Sequence, residues 1–388
     1  MEPLLSDRLR AKAAPAALRW WRTTALLWLL LLLPAGCVTE DLPNDTRQGN
    51  FLAFWQTLDE KYCFFPQKSE AYGLDWDEVR GRYAPAITEE MTERQLFEVL
   101  AQMSYELRDG HVNIFAAHDV ARYGRWFDDY PANYADTLER IYLGRTEDYA
   151  TVSGLKYRIL DDNIGYVRCA TFQSGFGSGN LHEMMRALSL CDGLIVDVRS
   201  NGGGLLTAAQ DLASLFLNER SLVGYVCHKT GRGHTDFSAP EAIYIDPFEG
   251  LRWQKPVVIL TNRSTYSAAN AFVAYLHGRR NVTTLGDRTG GGSGLPLNSE
   301  LPNGWTIRFS ACPMYDAEMR LTEEGIDPDV RQDLSPNALQ TGRDDIIERA
   351  RELLHTLTQT PHAYSRRTAQ KRKKAGHPFQ SFCLTLHK

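Results

Sequence analysis
The run PVVILTNRSTYSAAN, from Pro256 to Asn270, constrains this chain more than any other stretch. Its first half, Val257-Val258-Ile259-Leu260, is continuously apolar and β-branched, as a strand buried on both faces would be. Its second half, Ser267-Ala268-Ala269 leading into Phe272, Tyr275 and Leu276, has helical spacing and stops at Gly278. A strand that turns sharply into a helix presents the residue at the turn to solvent. It also aims free backbone N–H groups and the positive end of a helix dipole there. Ser267 occupies that place. Its hydroxyl can serve as a nucleophile beside donors suited to an oxyanion, or it can simply cap the helix.

The elements around this run alternate. Ile164 to Phe172 reads as a strand, Leu181 to Leu190 as a helix, Gly193 to Val198 as a buried strand, and Leu205 to Leu217 as a helix. Residues 221–246 hold short strands, another strand lies near Val282-Leu285, and Pro302-Asn303-Gly304 is a hairpin signal. Such alternation predicts an α/β layered core over 156–357. Upstream, Phe51, Phe54, Trp55, Leu58 and Tyr62 have helical spacing, and helices follow from Asp75 to Arg82 and from Thr92 to Leu107. Thr92 with Gln95 fits a capping box. These make a small helical N-terminal domain over 51–111, with a last helix at Asp344 to Leu354 closing the core. Residues 112–155 are aromatic-rich without clean periodicity and read as a lid or as packing core.

The ends carry other signals. Arg8, Arg10, Lys12, Arg19 and Arg22 precede an apolar run from Ala25 to Leu33, then Ala35-Gly36 and Cys37. That order describes an export signal over 1–36, or a membrane anchor if it is retained. Pro34-Ala35-Gly36-Cys37 resembles a bacterial lipoprotein processing site, with Pro34 where such sites usually have Leu; Cys37 is then the lipidation residue. Residues 37–50 are polar and read as a tether. Residues 358–388 form a basic tail, read as disordered or as a ligand for an acidic partner. A net charge of −5 argues against nucleic acid as a partner. The remaining cysteines, Cys63, Cys169, Cys191, Cys227, Cys312 and Cys383, show no zinc spacing, and neither metal nor cofactor is expected.

Three loops bring hydrolase chemistry. Asp197-Val198-Arg199-Ser200-Asn201-Gly202-Gly203-Gly204 puts glycines between a strand and a helix, which suits close backbone approach to an oxyanion or merely a tight turn. Neither a P-loop Lys-Ser/Thr nor a spaced GxGxxG is present. His111, in LRDGH, is a natural general base. LTEEGIDPDV, from Leu321 to Val330, offers carboxylates that could orient an imidazole or simply cap turns.

Taken in order, LRDGH, IGYVRCATF, GLIVDVRSNGGG, PVVILTNRSTYSAANAF, LGDRTGGGSG and EGIDPDV resemble the tail-specific (C-terminal-processing) serine peptidase family over roughly residues 50–355. The resemblance implies a crotonase/ClpP-like layered α/β core. It places the nucleophile at Ser267 and the oxyanion donors at the N–H groups of Ala268 and Gly203. The family's Ser-Lys branch has its lysine where Gly292 stands here, so the chain is similar instead to the tricorn-like branch, with His111 as base. Glu324 then orients the imidazole, with Glu323 as the rival. Gly110 replaces the branch's serine, and Asn270 stands where the dyad branch has Glu. No PDZ-like stretch separates His111 from Ile164, which leaves 112–155 to read the substrate.

The expected protein is an exported, lipid-anchored serine endopeptidase of the cell envelope, acting on protein or peptide substrates through an acyl-enzyme. A catalytically silent peptide- or lipid-binding module on the same scaffold is the alternative. A CoA-ester enzyme of crotonase type fits the export signal and the nucleophile turn poorly.

Overall fold
The computed structural model describes residues 44–359; the export signal, Cys37 and most of the basic tail lie outside the described residues. Strands β5 (Ile164–Cys169), β6 (Gly193–Asp197), β9 (Val257–Thr261) and β10 (Val282–Gly286) are buried along their whole length, and they run parallel. They form the centre of a seven-stranded sheet. β14 (Val330–Arg331) flanks one side, and the antiparallel β4 (Leu155–Ile159) and β3 (Ala150–Val152) flank the other. Apolar side chains alternate to both faces, so both must be covered. Helices α6 (Ser178–Leu188), α7 (Leu206–Ser214) and α8 (Ala268–Leu276) bury one face, and α10 (Asp345–Gln359) buries the other.

A second core belongs to the N-terminal helices α1 (Arg47–Lys61), α2 (Phe65–Tyr72), α3 (Trp76–Tyr83) and α4 (Glu93–Tyr105). The capping box of Thr92 and Gln95 opens α4 as its spacing predicts. Helix α1 begins at Arg47, inside the stretch read as a tether, and α2 has no counterpart in the sequence reading. It is short, and its apolar spacing is broken by Gln67, Lys68 and Glu70.

These helices pack on a four-stranded antiparallel sheet ordered β11 (Pro296–Glu300), β12 (Thr306–Ser310), β1 (Asn113–Phe115), β2 (Val120–Arg122). The Pro302-Asn303-Gly304 turn joins β11 to β12. Residues 112–155 therefore supply strands to two sheets, together with α5 (Asp136–Leu143). A third sheet holds β7 (Ser221–Val226) between β8 (Glu241–Ile245) and β13 (Met314–Asp316), and a short α9 (Ala338–Thr341) precedes α10. Among the described residues no helix is long and apolar enough to cross a membrane.

Sheet topology positions the site. β6 and β9 are parallel neighbours, with Asp197 opposite Leu260, so their C-terminal ends open at the same edge. The glycine run leaves one and the serine turn leaves the other. β1, from the second sheet, starts two residues after His111.

Candidate active site
Ser267 sits at φ 57° and ψ −122°, a backbone conformation that costs a residue with a Cβ of order 1–3 kcal/mol. Its N–H is held by the carbonyl of Gly291 (2.8 Å), and its carbonyl accepts from Ala271 N (2.9 Å) in the first turn of α8. Its side chain makes no capping bond. Instead Oγ lies 3.1 Å from Nε2 of His111. The helix-capping reading of this serine is therefore replaced by a serine–imidazole pair.

The turn is clamped by its neighbours. Thr265 Oγ1 donates to the Val198 carbonyl (2.9 Å) and Tyr266 N to the Asn201 carbonyl (3.0 Å), which tie the serine turn to the glycine loop. Asn201 is fully buried and spans three segments. Its Nδ2 donates to the Cys169 carbonyl at the end of β5 (3.0 Å), and its Oδ1 accepts from Gly203 N (2.9 Å). At the base of this loop Arg199 is wholly buried and pairs with Asp197 (2.7 Å) and Asp344 (2.9 Å). Its Nη1 also donates to the Asn133 carbonyl (3.2 Å), so the 112–155 segment braces the loop from behind.

Gly203 stands against Ser267 at φ 97°. A Cβ there would lie 2.7 Å from Ser267 Cβ and 2.8 Å from Ala268 N, so only glycine leaves room beside the hydroxyl. Gly203 and Ala268 thus meet next to Ser267, where the resemblance puts the oxyanion. The Gly203 N–H reaches an oxyanion only by exchanging or sharing its bond to Asn201.

His111 is 4% exposed and packs against Tyr266, with ring centroids 4.9 Å apart. Burial pulls its imidazolium down to about 4; Asp109 opposes that shift, while Arg308 and Arg122 add to it. Nδ1 of the ring is buried and, among the described residues, has no hydrogen-bond partner. Glu324, assigned by resemblance to orient the imidazole, is engaged elsewhere. Its Oε1 takes bonds from Lys68 Nζ and Gln67 Nε2, both 3.2 Å, and its side chain is half exposed. α2 delivers the lysine that captures it.

Glu323 is buried, and its Oε2 accepts from Ser293 N (2.7 Å) rather than from the ring. Burial and the nearby Asp109 push its carboxyl well above the usual range, although Lys68 counteracts them. The carboxylate whose charge bears on His111 is Asp109. Its Oδ1 accepts the His111 N–H (2.7 Å), and its Oδ2 accepts the hydroxyls of Ser310 (2.7 Å) and Tyr62 (3.1 Å). Asp109 stands in the quoted LRDGH motif, two residues before the histidine, and that spacing was its available signal.

The position that carries lysine in the dyad branch, Gly292, packs against the Tyr266 ring. Lys68, buried nearby, is committed to Glu324. Asn270 is also structural. It accepts from Thr289 Oγ1 (2.6 Å) and donates to the Thr322 carbonyl (3.2 Å). Among the described residues no group of His, Cys, Asp or Glu is placed to hold a metal ion.

Comparison with known proteins bears on the family of the chain. Peptidase family S41 matches residues 163–332, and the tricorn protease C1 domain matches 43–104. A solved putative peptidase from Parabacteroides merdae is 46% identical, over 80% of this chain and 97% of that one, with a TM-score of 0.76. The chain belongs to peptidase family S41. Within the family it is 27% identical over 197 residues to carboxy-terminal processing protease CtpA of Bacillus subtilis, covering 50% of this chain and 40% of that protein. It is 30% identical over 168 residues to a putative tricorn-like protease C-terminal subunit of Sulfurisphaera tokodaii, covering 42% and 17%. The chain thus spans less than half the length of these curated relatives. Mature CPAF, at 11% identity and TM-score 0.61, shares the fold.

Proposed function
We propose that this S41 member is an exported serine endopeptidase that cleaves protein or peptide substrates through an acyl-enzyme on Ser267. The observation that carries the reading is the 3.1 Å approach of His111 Nε2 to a serine held on a strained strand-to-helix turn. Neutral His111 removes the hydroxyl proton as Oγ attacks the peptide carbonyl, then returns it to the departing amine. The N–H groups of Ala268 and Gly203 take the tetrahedral oxyanion, with Gly203 turning from Asn201 as charge develops. Asp109, anchored by two hydroxyls and by the His111 backbone, supports the imidazolium that forms. The names of the relatives suggest processing near chain termini. The N-terminal sequence supports export and lipid anchoring at Cys37 in the cell envelope.

A second reading, a silent binding module on the same scaffold, draws on the unpartnered Nδ1 of His111 and the occupied Gly203 N–H. Labelling by a fluorophosphonate probe decides between them. Covalent capture at Ser267 that needs His111 supports the peptidase; an inert Ser267 in folded protein sinks it.

A further inference from the structure
A cavity of about 390 Å³ opens on the face of the seven-stranded sheet that α10 buries, opposite α8. That volume is in the range of small-molecule sites. α5 supplies Ile141 and Tyr142 to its wall, β4 supplies Arg158, the link between α9 and α10 supplies Arg343, and α10 supplies Glu348 and Arg351. Only one of the three guanidinium groups is neutralised. Arg351 donates to Asp162 (2.8 Å) and to Glu348 (2.8 Å), and Glu348 also accepts from the Tyr142 hydroxyl (2.8 Å). Arg158 donates to the Tyr142 carbonyl (3.3 Å), and among the described residues it forms no ion pair. Arg343 is exposed and has neither a side-chain hydrogen bond nor an ion pair among them. The acid its charge reaches, Asp345, is bonded to Ser335 N (2.7 Å). Asp161 is the one lining acid without a partner among the described residues, so the wall keeps an excess of positive charge.

Glycines make room for this wall. A Cβ at Gly144 (φ 82°) would lie 2.6 Å from Arg158 Nη1, and one at Gly342 (φ 64°) would lie 3.2 Å from Ile141 Cδ1. Ile141 remains 54% exposed, an apolar surface beside the two unpaired guanidinium groups. Hydrocarbon next to guanidinium forks suits an anion carried on a small organic body. The cavity also backs the glycine loop. Asp344 N donates to the Tyr142 hydroxyl oxygen (3.1 Å), and the Asp344 carboxylate pairs with Arg199 (2.9 Å) at the base of that loop. Arg343 immediately precedes Asp344 in the chain. A ligand held by Arg343 and Tyr142 therefore restrains both neighbours of the Asp344 backbone, through one contiguous set of contacts.

We propose that this cavity receives a small organic anion, a phosphate monoester or a carboxylate, and that its occupancy steadies the Asp344–Arg199 anchor of the glycine loop. The anionic head is taken by Arg158 and Arg343, and the organic body lies against Ile141 and Leu160. The proposal goes beyond the peptidase reading and does not rest on it, because binding and loop motion are both read without turnover.

The probes are phenyl phosphate, benzoate and inorganic phosphate, titrated by calorimetry into the full chain and into its Arg158→Gln, Arg343→Gln and Ile141→Asn variants. Saturable binding of an organic anion is expected, weakened about tenfold or more by loss of either guanidinium, the scale of one charge-assisted contact. The order of phenyl phosphate and benzoate identifies the head group. Ile141→Asn should remove the advantage of phenyl phosphate over inorganic phosphate. Melting curves show which variants fold, and Arg343→Gln, which alters an exposed side chain, keeps the test decisive if Arg158→Gln does not. Absence of saturable binding for both organic anions, or unchanged affinity in folded Arg343→Gln, overturns the site. Amide hydrogen exchange over residues 199–204 is expected to slow several-fold when the tighter probe saturates the chain, and unchanged exchange overturns the coupling. An inert Ser267 sinks the peptidase reading and leaves each of these outcomes as it stands.

Discussion
Nε2 of His111 and Oγ of Ser267 stand 3.1 Å apart although 156 residues separate them in the chain. The contact joins two cores, because His111 leads into β1 of the four-stranded sheet and Ser267 follows β9 of the seven-stranded one. Replacing Ser267 by Ala removes one hydroxyl without touching the backbone bonds that shape the turn. We expect kcat on peptides to fall by about 10⁵–10⁶. Peptide hydrolysis read beside thermal denaturation checks this, and full residual activity in folded protein would refute the assignment.

The pH profile follows from burial of the imidazole. A base must be neutral, and His111 stays neutral until about pH 4. Activity should persist as pH falls through 6.5, and the acid limb of kcat/KM should appear near 4. Stability runs with the same sign. The unfolded histidine titrates near 6.5 and binds more protons than the folded one between those values, so stability declines as pH drops from 6.5 to 4, by about 3 kcal/mol from this group. Proton NMR of the ring and denaturant titrations across that window measure both. A ring that titrates at 6.5 in the folded chain contradicts the prediction.

The carboxylates separate by role. Glu324→Gln alters an exposed partner of Lys68, so kcat should change within about twofold, as at a site away from the chemistry. Asp109→Asn puts an amide where two hydroxyls and a backbone N–H are accepted. It should lower kcat by about 10–10², part of what general-base catalysis supplies, and cost ~1–3 kcal/mol of stability. The reverse order of effects in steady-state kinetics would return the orienting role to Glu324.

Gly203→Ala adds a methyl group 2.7 Å from Ser267 Cβ at a backbone angle that side chains rarely adopt. Turnover should fall by about 10² or more, the scale of a lost oxyanion donor, with ~1–3 kcal/mol of strain. The companion change Gly202→Ala meets no atom within 4 Å and should be mild in the same kinetic and melting assays.

Much of the scaffold was legible before any coordinate. The apolar runs at Ile164, Gly193 and Val257 become central strands because a β-branched run buries both faces wherever it lies. Ser267 and His111 could be named because the chemistry restricts residue type and the motifs keep their order. What escaped notice depends on long-range pairing. α2 has weak periodicity, yet it carries the Lys68 that takes Glu324 away from the imidazole. Asn201 looks like a turn residue in SNGGG, yet it joins β5, the glycine loop and the serine turn.

The amino-acid order by itself determined the α/β alternation and the strand-to-helix turn at Ser267, because these rest on local periodicity and backbone allowance. Only the tertiary structure decided which acid lies near the histidine and that Arg158 and Arg343 line one cavity. Desolvation and electrostatic coupling are set by strand register and by what covers a group. Those quantities exist once distant segments have met.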